Sequence, residues 1–433
     1  MTELRPVPAL VMSARAPAGE ALGPAQVAEA LFAALEDEVA GERVLVLVPD
    51  RTRNVPLADL FPVVVEALHK AAAVEVMVAL GTHPPLPVDD ILDLTGMAGA
   101  APGVLGAVSN HAWKGTGALE PIGTISAARV RDIAGPVWHR SLGGDLVVRV
   151  NRRALEVDRV LIVGPTLPHE VAGYSGGAKY LFPGISGPEM IDVMHWLGAL
   201  GGILATIGRQ GTAVRALVDE AASLLPTPVS LVALVTDGSG DGDRLAGIYV
   251  GDLHEAWAAS VPHAELLHTK WVEKPYQRVI SCPMSIYGEL WTAGKAMYKL
   301  EPAVADGGEL VIYAPRLAEV SVTHGKDLFE VGYHTLAYFL GQWDRFGDRS
   351  LAVLAHSSHV KGAGRFDPGT GHEQPRIDVR LATAIPPEDC RRLNLGHTDP
   401  ASLDLMALAD EAGTLVVPRS GEMLFRARGT AAP

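Results

Sequence analysis

RVLVLVPDRTRNVPLADLFPVVVEALHKAAAVEVMVALGTH, residues 43–83, is the stretch that decides the fold. Arg43 to Val48 form a short apolar run that breaks at Pro49-Asp50, and Val74 to Leu80 form a second that breaks at Gly81-Thr82-His83. Runs of this length, rich in valine and closed by proline or glycine, read as buried strands. Between them, Leu57 to Ala72 carries apolar residues at helical spacing. Strand, loop, helix, strand is the unit of a parallel α/β sheet, because parallel neighbours need a crossover.

The rhythm continues with a strand at Arg159 to Val163, helices at Pro188 to Leu200 and Ala213 to Leu224, a strand at Val229 to Val235, and a helix at Asp252 to Leu267. It pauses around Lys270 to Tyr276. A second series follows: a strand at Arg278 to Ser281, a helix at Glu289 to Lys299 and a strand at Glu309 to Tyr313. The expectation is an α/β protein of two α/β domains with mainly parallel sheets and an interdomain active-site cleft. The boundary falls near residue 272: residues 1–272 carry a cofactor-binding loop, and residues 273–433 close the cleft, the last 30 or so being candidates to return to the first domain. The stretch His359 to Gln374, rich in Gly, Pro and charge, reads as a mobile loop. No internal repeat is evident.

With 433 residues, the chain exceeds one ordinary hydrophobic core. Hydrophobic residues at 48% and charged residues at 20% are globular proportions. A net charge of −14 disfavours nucleic acid, whose phosphates call for clustered Lys and Arg. A small-molecule partner fits better, and it can be anionic, since a few cations in a cleft outweigh the global field. Cys282 and Cys390 are the only cysteines, which argues against a disulfide framework or thiolate zinc site and for a reducing compartment. Met1 to Ala18 lacks a basic region followed by an apolar core, and no uncharged apolar run reaches spanning length. A cytoplasmic protein with no membrane partner is expected; a homo-oligomer is left open.

In open α/β sheets functional groups gather beyond the carboxyl ends of strands. Asp50 to Arg53, Gly81 to His83, Pro165 to His169 and Cys282 to Tyr287 all take such positions, which predicts one cleft. The most informative segment is PHEVAGYSGGAK, residues 168–179. Gly173, Ser175, Gly176 and Gly177 let backbone N–H groups close on an anion, and Lys179 adds charge or a nucleophilic amine. The spacing is not that of a Walker loop. Downstream, Pro188 opens a helix on which Ile191, Met194, His195 and Gly198 share a face, so His195 points inward. These residues alone also accommodate a phosphate-ligand-binding protein or transferase without redox chemistry, or a zinc-dependent hydrolase using His111, His169 and His195.

The block from His169 through Lys179 to His195, in steps of ten and sixteen residues, resembles the nickel-pincer lactate racemase family. DRTRNVP at 50–56 is similar to the family's DxTRxxP loop, Ser109-Asn110-His111 to its Asn-His block, and LWTAGKA at 290–296 to its LYQAxKA helix, followed by Glu301-Pro302 and Gly307-Gly308. The resemblance implies a racemase or epimerase of a 2-hydroxy acid, acting by reversible hydride transfer to a nickel-pincer nucleotide, nickel pyridinium-3,5-bisthiocarboxylic acid mononucleotide. It implies that Lys179 is covalently attached to that cofactor and that His195 ligates nickel. His111 and His169 would be the acid/base pair, one for each face of C2. Arg53 would position the substrate carboxylate or cofactor phosphate, and Lys295 would contact substrate. Asp50, Thr52, Gly173, Ser175, Gly176, Gly177 and Trp291 would contact cofactor. Implied partners are the 2-hydroxy acid and the proteins that synthesise and insert the cofactor.

Two departures bear on specificity. Trp291 and Thr292 stand where the lactate enzymes carry Tyr and Gln, and His83-Pro84 where a His followed by Arg is usual. Trp291 could pack an extended substrate side chain or fill the interdomain seam, and His83 fits a capping or core role as well as a site role. Beyond about residue 320 the resemblance ends.

Overall fold

The computed structural model describes residues 9–81, 83–100, 105–113, 117–238 and 244–428. The strand Arg43–Val48 lies inside a seven-stranded sheet, parallel to Ala73–Val78 on one side and Arg159–Pro165 on the other. Val229–Asp237 and Val108–Asn110 extend the parallel set, and Arg244–Asp252 and Leu10–Arg15 finish one edge antiparallel. The central strands read as unbroken apolar runs because both faces are covered. Alternation still sorts the side chains: Val44, Val46 and Val48 join one core and Leu45 and Leu47 the other.

The second sheet is five-stranded and wholly parallel, in the order Gly396–His397, Asp378–Thr383, Val304–Ala314, Tyr276–Pro283, Thr414–Ser420. The fold is therefore mixed α/β with mainly parallel sheets. One apolar cluster runs from Leu45 and Leu47 under the first sheet to Leu310 and Val417 in the second, so the two sheets share a core. After Ser420 the chain turns back: Leu424–Ala427 pairs in parallel with Thr269–Val272, and the Arg426 guanidinium bonds to the Ile207 carbonyl. Among the described residues no helix is long and apolar enough to cross a membrane.

Several elements differ from their sequence-based bounds. The helix from Leu57 stops at Ala67, and the helix expected over Glu289 to Lys299 is interrupted at Gly294. The expected mobile loop at His359 to Gln374 is ordered structure. His359 closes the buried helix Leu351–Lys361, and Gly364–Asp367 and His372–Pro375 form a hairpin. Its turn is held by the Asp367 carboxylate, which accepts from Gly369 N–H at 2.9 Å and the Thr370 hydroxyl at 2.8 Å.

Candidate active site

The carboxyl ends of Arg43–Val48, Ala73–Val78 and Arg159–Pro165 open on one cavity, closed from the other side by residues 291–298 and by the helix Leu351–Lys361. The Gly-rich loop forms its floor. Pro168–His169 pairs with Gly173–Tyr174 in a tight hairpin. Gly173 has φ +82°, and a Cβ there would sit 1.8 Å from the Arg209 carbonyl oxygen, so only glycine fits. The Ser175 hydroxyl accepts from Leu167 N–H at 3.0 Å and donates to the Pro165 carbonyl at 3.2 Å. Arg215 clamps the loop by bonding to the Tyr174 carbonyl at 2.7 Å and the Gly176 carbonyl at 3.3 Å. Ser175 and Gly176 line the cavity, whereas Gly173 and Gly177 do not. The N–H groups of Val171, Ser175 and Lys179 are already engaged within the loop. The loop therefore positions side chains and leaves those three amides unavailable for an anion.

What it positions is a histidine-lysine pair. His169 Nδ1 accepts from Val171 N–H at 3.1 Å, and His169 Nε2 lies 2.7 Å from Lys179 Nζ. A ring nitrogen that accepts from an amide carries a lone pair, so a neutral His169 holds its proton on Nε2. That proton can bridge to Lys179 only if the lysine is an uncharged amine. The electrostatics agree: burial first, then the charge of Lys179, hold His169 well below the usual imidazole range. Burial likewise holds Lys179 well below the usual lysine range; Glu170 pulls the other way, while Arg53 and Arg215 add to the lowering. Burial thus shifts Lys179 toward its uncharged, nucleophilic form, and it faces the cavity.

His195, on the helix Pro188–Gly201, donates from Nδ1 to the Ile191 carbonyl at 2.6 Å, which leaves a lone pair on Nε2 at the cavity wall. From the first strand's loop, Asp50 accepts from Thr52 N–H at 3.0 Å and the Thr52 hydroxyl at 2.7 Å, and its other oxygen holds His83 Nδ1. Burial opposes the Asp50 charge, but His83 and Arg53 outweigh it and keep the carboxyl below its ordinary range. Asp50, Arg53 and His83 line the cavity, and Thr52 lies behind them. Lys295 reaches in from the second half, 8% exposed, with no hydrogen-bond partner for Nζ; burial, then Arg53, push it down to about 7.

His111 is not part of this site. Its Nε2 bonds to the Ser186 carbonyl at 3.0 Å, its Nδ1 to the Asn151 amide at 3.1 Å, and it does not line the cavity. Burial pushes it down to about 4, which favours its neutral form. The three-histidine zinc site loses a ligand with it, and among the described residues no group of three or more His, Cys, Asp or Glu is placed to hold a metal. Trp291 lines the cavity. It is stacked against two imidazoles, His356 at 3.9 Å and His324 at 4.3 Å between centroids.

Residues 20–133 and 139–202 match the model of the lactate racemase N-terminal domain. The lactate racemase of Thermoanaerobacterium thermosaccharolyticum is 23% identical over 316 residues, 68% of this chain and 64% of that protein's length. The chain is thus similar, over residues 20–133 and 139–202, to the N-terminal domain of lactate racemases. Among solved structures, a protein from Thermotoga maritima superposes with a TM-score of 0.88 at 28% identity, over 95% of this chain and 99% of that one. The Thermoanaerobacterium lactate racemase apoprotein superposes at 0.67 and 18% identity, over 90% and 88%, which shows a shared fold.

Sequence reasoning passed over the cavity residues Glu170, Tyr298, His356 and His359. Glu170 stays ionised although burial opposes it, because Lys179 and Lys299 lie close. Lys299 is itself pushed down to about 8 by burial and bonds to the Pro168 carbonyl at 2.5 Å. The signal for His356 and His359 was their spacing of three, which puts both on one helix face.

Proposed function

We propose that this protein racemises or epimerises a 2-hydroxy acid at C2. The observation that carries the reading is the 2.7 Å contact between His169 Nε2 and Lys179 Nζ, in a cavity that also holds Lys295, whose Nζ has no hydrogen-bond partner. The family's nickel-pincer nucleotide suits these residues on three counts. Lys179, shifted toward its amine form, can make the covalent link. His195 offers one imidazole lone pair, a donor that suits nickel beside softer ligands. Lys295, buried with no partner, lacks the anion that would satisfy it. When bound, the group supplies an acceptor that takes the C2 hydride and returns it.

The chain's own residues do the rest. Arg53 and Lys295 bind the substrate carboxylate, and Lys295 changes from an orphaned charge to a paired one as it does so. His169 holds or moves the hydroxyl proton at Nε2 on one face of C2. On the other face we assign that work to His83 in place of His111, because Asp50 fixes its ring through Nδ1 and leaves Nε2 for the substrate. Burial of His169 keeps water from its face of the substrate.

The test is to express the protein with cofactor-making enzymes, map adducts by mass spectrometry and screen 2-hydroxy acids for inversion at C2. A nucleotide-sized adduct on Lys179, with inversion that disappears in His169→Ala, is expected. Unmodified Lys179 in protein that inverts substrate, or loaded protein that inverts nothing, overturns the reading.

A further inference from the structure

The wall built by the helix Leu351–Lys361 points to the substrate class. This helix is buried along its length, packs on Pro188–Gly201, and carries His356 and His359 to the cavity beside His195. His359 is 4% exposed. Its ring bonds to the main chain of Gly198, and its Nε2 has no partner. A bond to a backbone carbonyl uses Nδ1–H, which leaves Nε2 as a bare acceptor. Buried acceptors in native proteins are nearly always paired, so the missing donor belongs to a ligand. A cationic donor is disfavoured, because Arg53, Lys179 and Lys295 already crowd the same cavity. A neutral hydroxyl fits.

The rest of this wall is unsuited to an alkyl chain. Trp291, which lines the cavity, is stacked against the imidazoles of His324 and His356. Thr292, Lys295, Tyr298 and His356 complete a polar surface. We propose that His359 Nε2 accepts a hydrogen bond from a substrate hydroxyl beyond C2, so that the protein prefers polyhydroxylated 2-hydroxy acids, the aldonic-acid class, over lactate. This rests on the C2 racemase reading above, in which the C2 hydroxyl is already engaged by His169 or His83.

Glycerate is lactate with one added hydroxyl, which makes the pair a direct probe, and gluconate extends the series. With cofactor-loaded wild type, kcat/KM for glycerate or gluconate is expected to exceed that for lactate by about tenfold or more, since a site built around a hydroxyl rejects the analogue lacking it. His359→Leu should erase that preference, mainly through KM, while nickel content and the Lys179 adduct hold. His359→Gln, whose amide oxygen can still accept, should restore part of it and covers the case in which the Leu variant folds poorly. Wild-type preference for lactate overturns the proposal and leaves the racemase reading standing. So does loss of nickel in His359→Gln, which would make His359 a metal ligand, or an equal fall on all substrates. Loaded protein that inverts none of these acids overturns both.

Discussion

Replacing His111 and His83 by alanine, one at a time, should give contrasting turnover, and the structure sets the size of each effect. His111→Ala strands the Ser186 carbonyl and the Asn151 amide in a buried site. Each unpaired group costs about 1–3 kcal/mol, and the void left by the ring adds roughly 1–2 kcal/mol. A total of about 3–8 kcal/mol lowers the melting temperature by roughly 6–32 °C at about 2–4 °C per kcal/mol. The pH dependence gives a second check. His111 is pushed from 6.5 down to about 4 by burial, so below 6.5 the unfolded chain binds more protons than the folded one. Its contribution is therefore fully present above 6.5 and is lost as pH falls towards 4, about 3 kcal/mol in all. The variant should be less stable at pH 7.5 yet lose less on going to pH 4.5, read by calorimetry at both values. Turnover per folded, loaded molecule should stay within about threefold, since loss of a general acid or base costs far more, about 10²–10⁴. His83→Ala should show that larger loss of turnover, together with a lower melting temperature, because the buried Asp50 carboxylate loses the partner that offsets its burial. A His111→Ala protein that melts like wild type but has lost turnover would refute the assignment.

Three further outcomes follow from the same geometry. Lys179 in the cofactor-free protein should react with acetic anhydride at pH 7 faster than surface lysines, by peptide mapping, because burial and its neighbours hold it as an amine; labelling only at high pH would contradict this. Lys295→Met removes a buried, unpartnered cation; replacing such a charge by an apolar group is often neutral or stabilising by about 1–4 kcal/mol. The unliganded variant should melt no lower than wild type while substrate KM rises at least about tenfold; a lower melting temperature with unchanged KM would show that Lys295 is structural. Gly173→Ala drives a methyl into the Arg209 carbonyl at a positive φ; a loss of more than about 3 kcal/mol, seen in denaturant unfolding, is expected from that clash plus backbone strain.

Local pattern determined a good deal of this molecule. The strand runs Arg43 to Val48 and Arg159 to Val163 are long enough and apolar enough to be only buried strands, and they form the centre of the first sheet. The positions of Asp50, Arg53, His169 and Lys179 along the chain were sufficient to nominate them, Lys295 entered through the family resemblance, and all five line one cavity. Helix periodicity placed His195 inward because side-chain direction follows from spacing alone.

Tertiary structure decided what spacing cannot encode. His111 and His83 both follow a strand, and nothing local says that Ser186 and Asn151 consume both nitrogens of the first while Asp50 aims the second at the cavity. The Gly-rich loop advertises an anion nest, yet its glycines answer to crowding by Arg209 and Trp257, residues 36 and 80 positions further along for Gly173 and Gly177 respectively. His356 and His359 sit on a helix whose residues 359–361 the composition of the following segment disguised as loop; burial against Pro188–Gly201 makes it a wall of the site. In each case the deciding quantity is which distant group satisfies a buried nitrogen or occupies the space beside a Cα, and that is fixed only when the chain has packed.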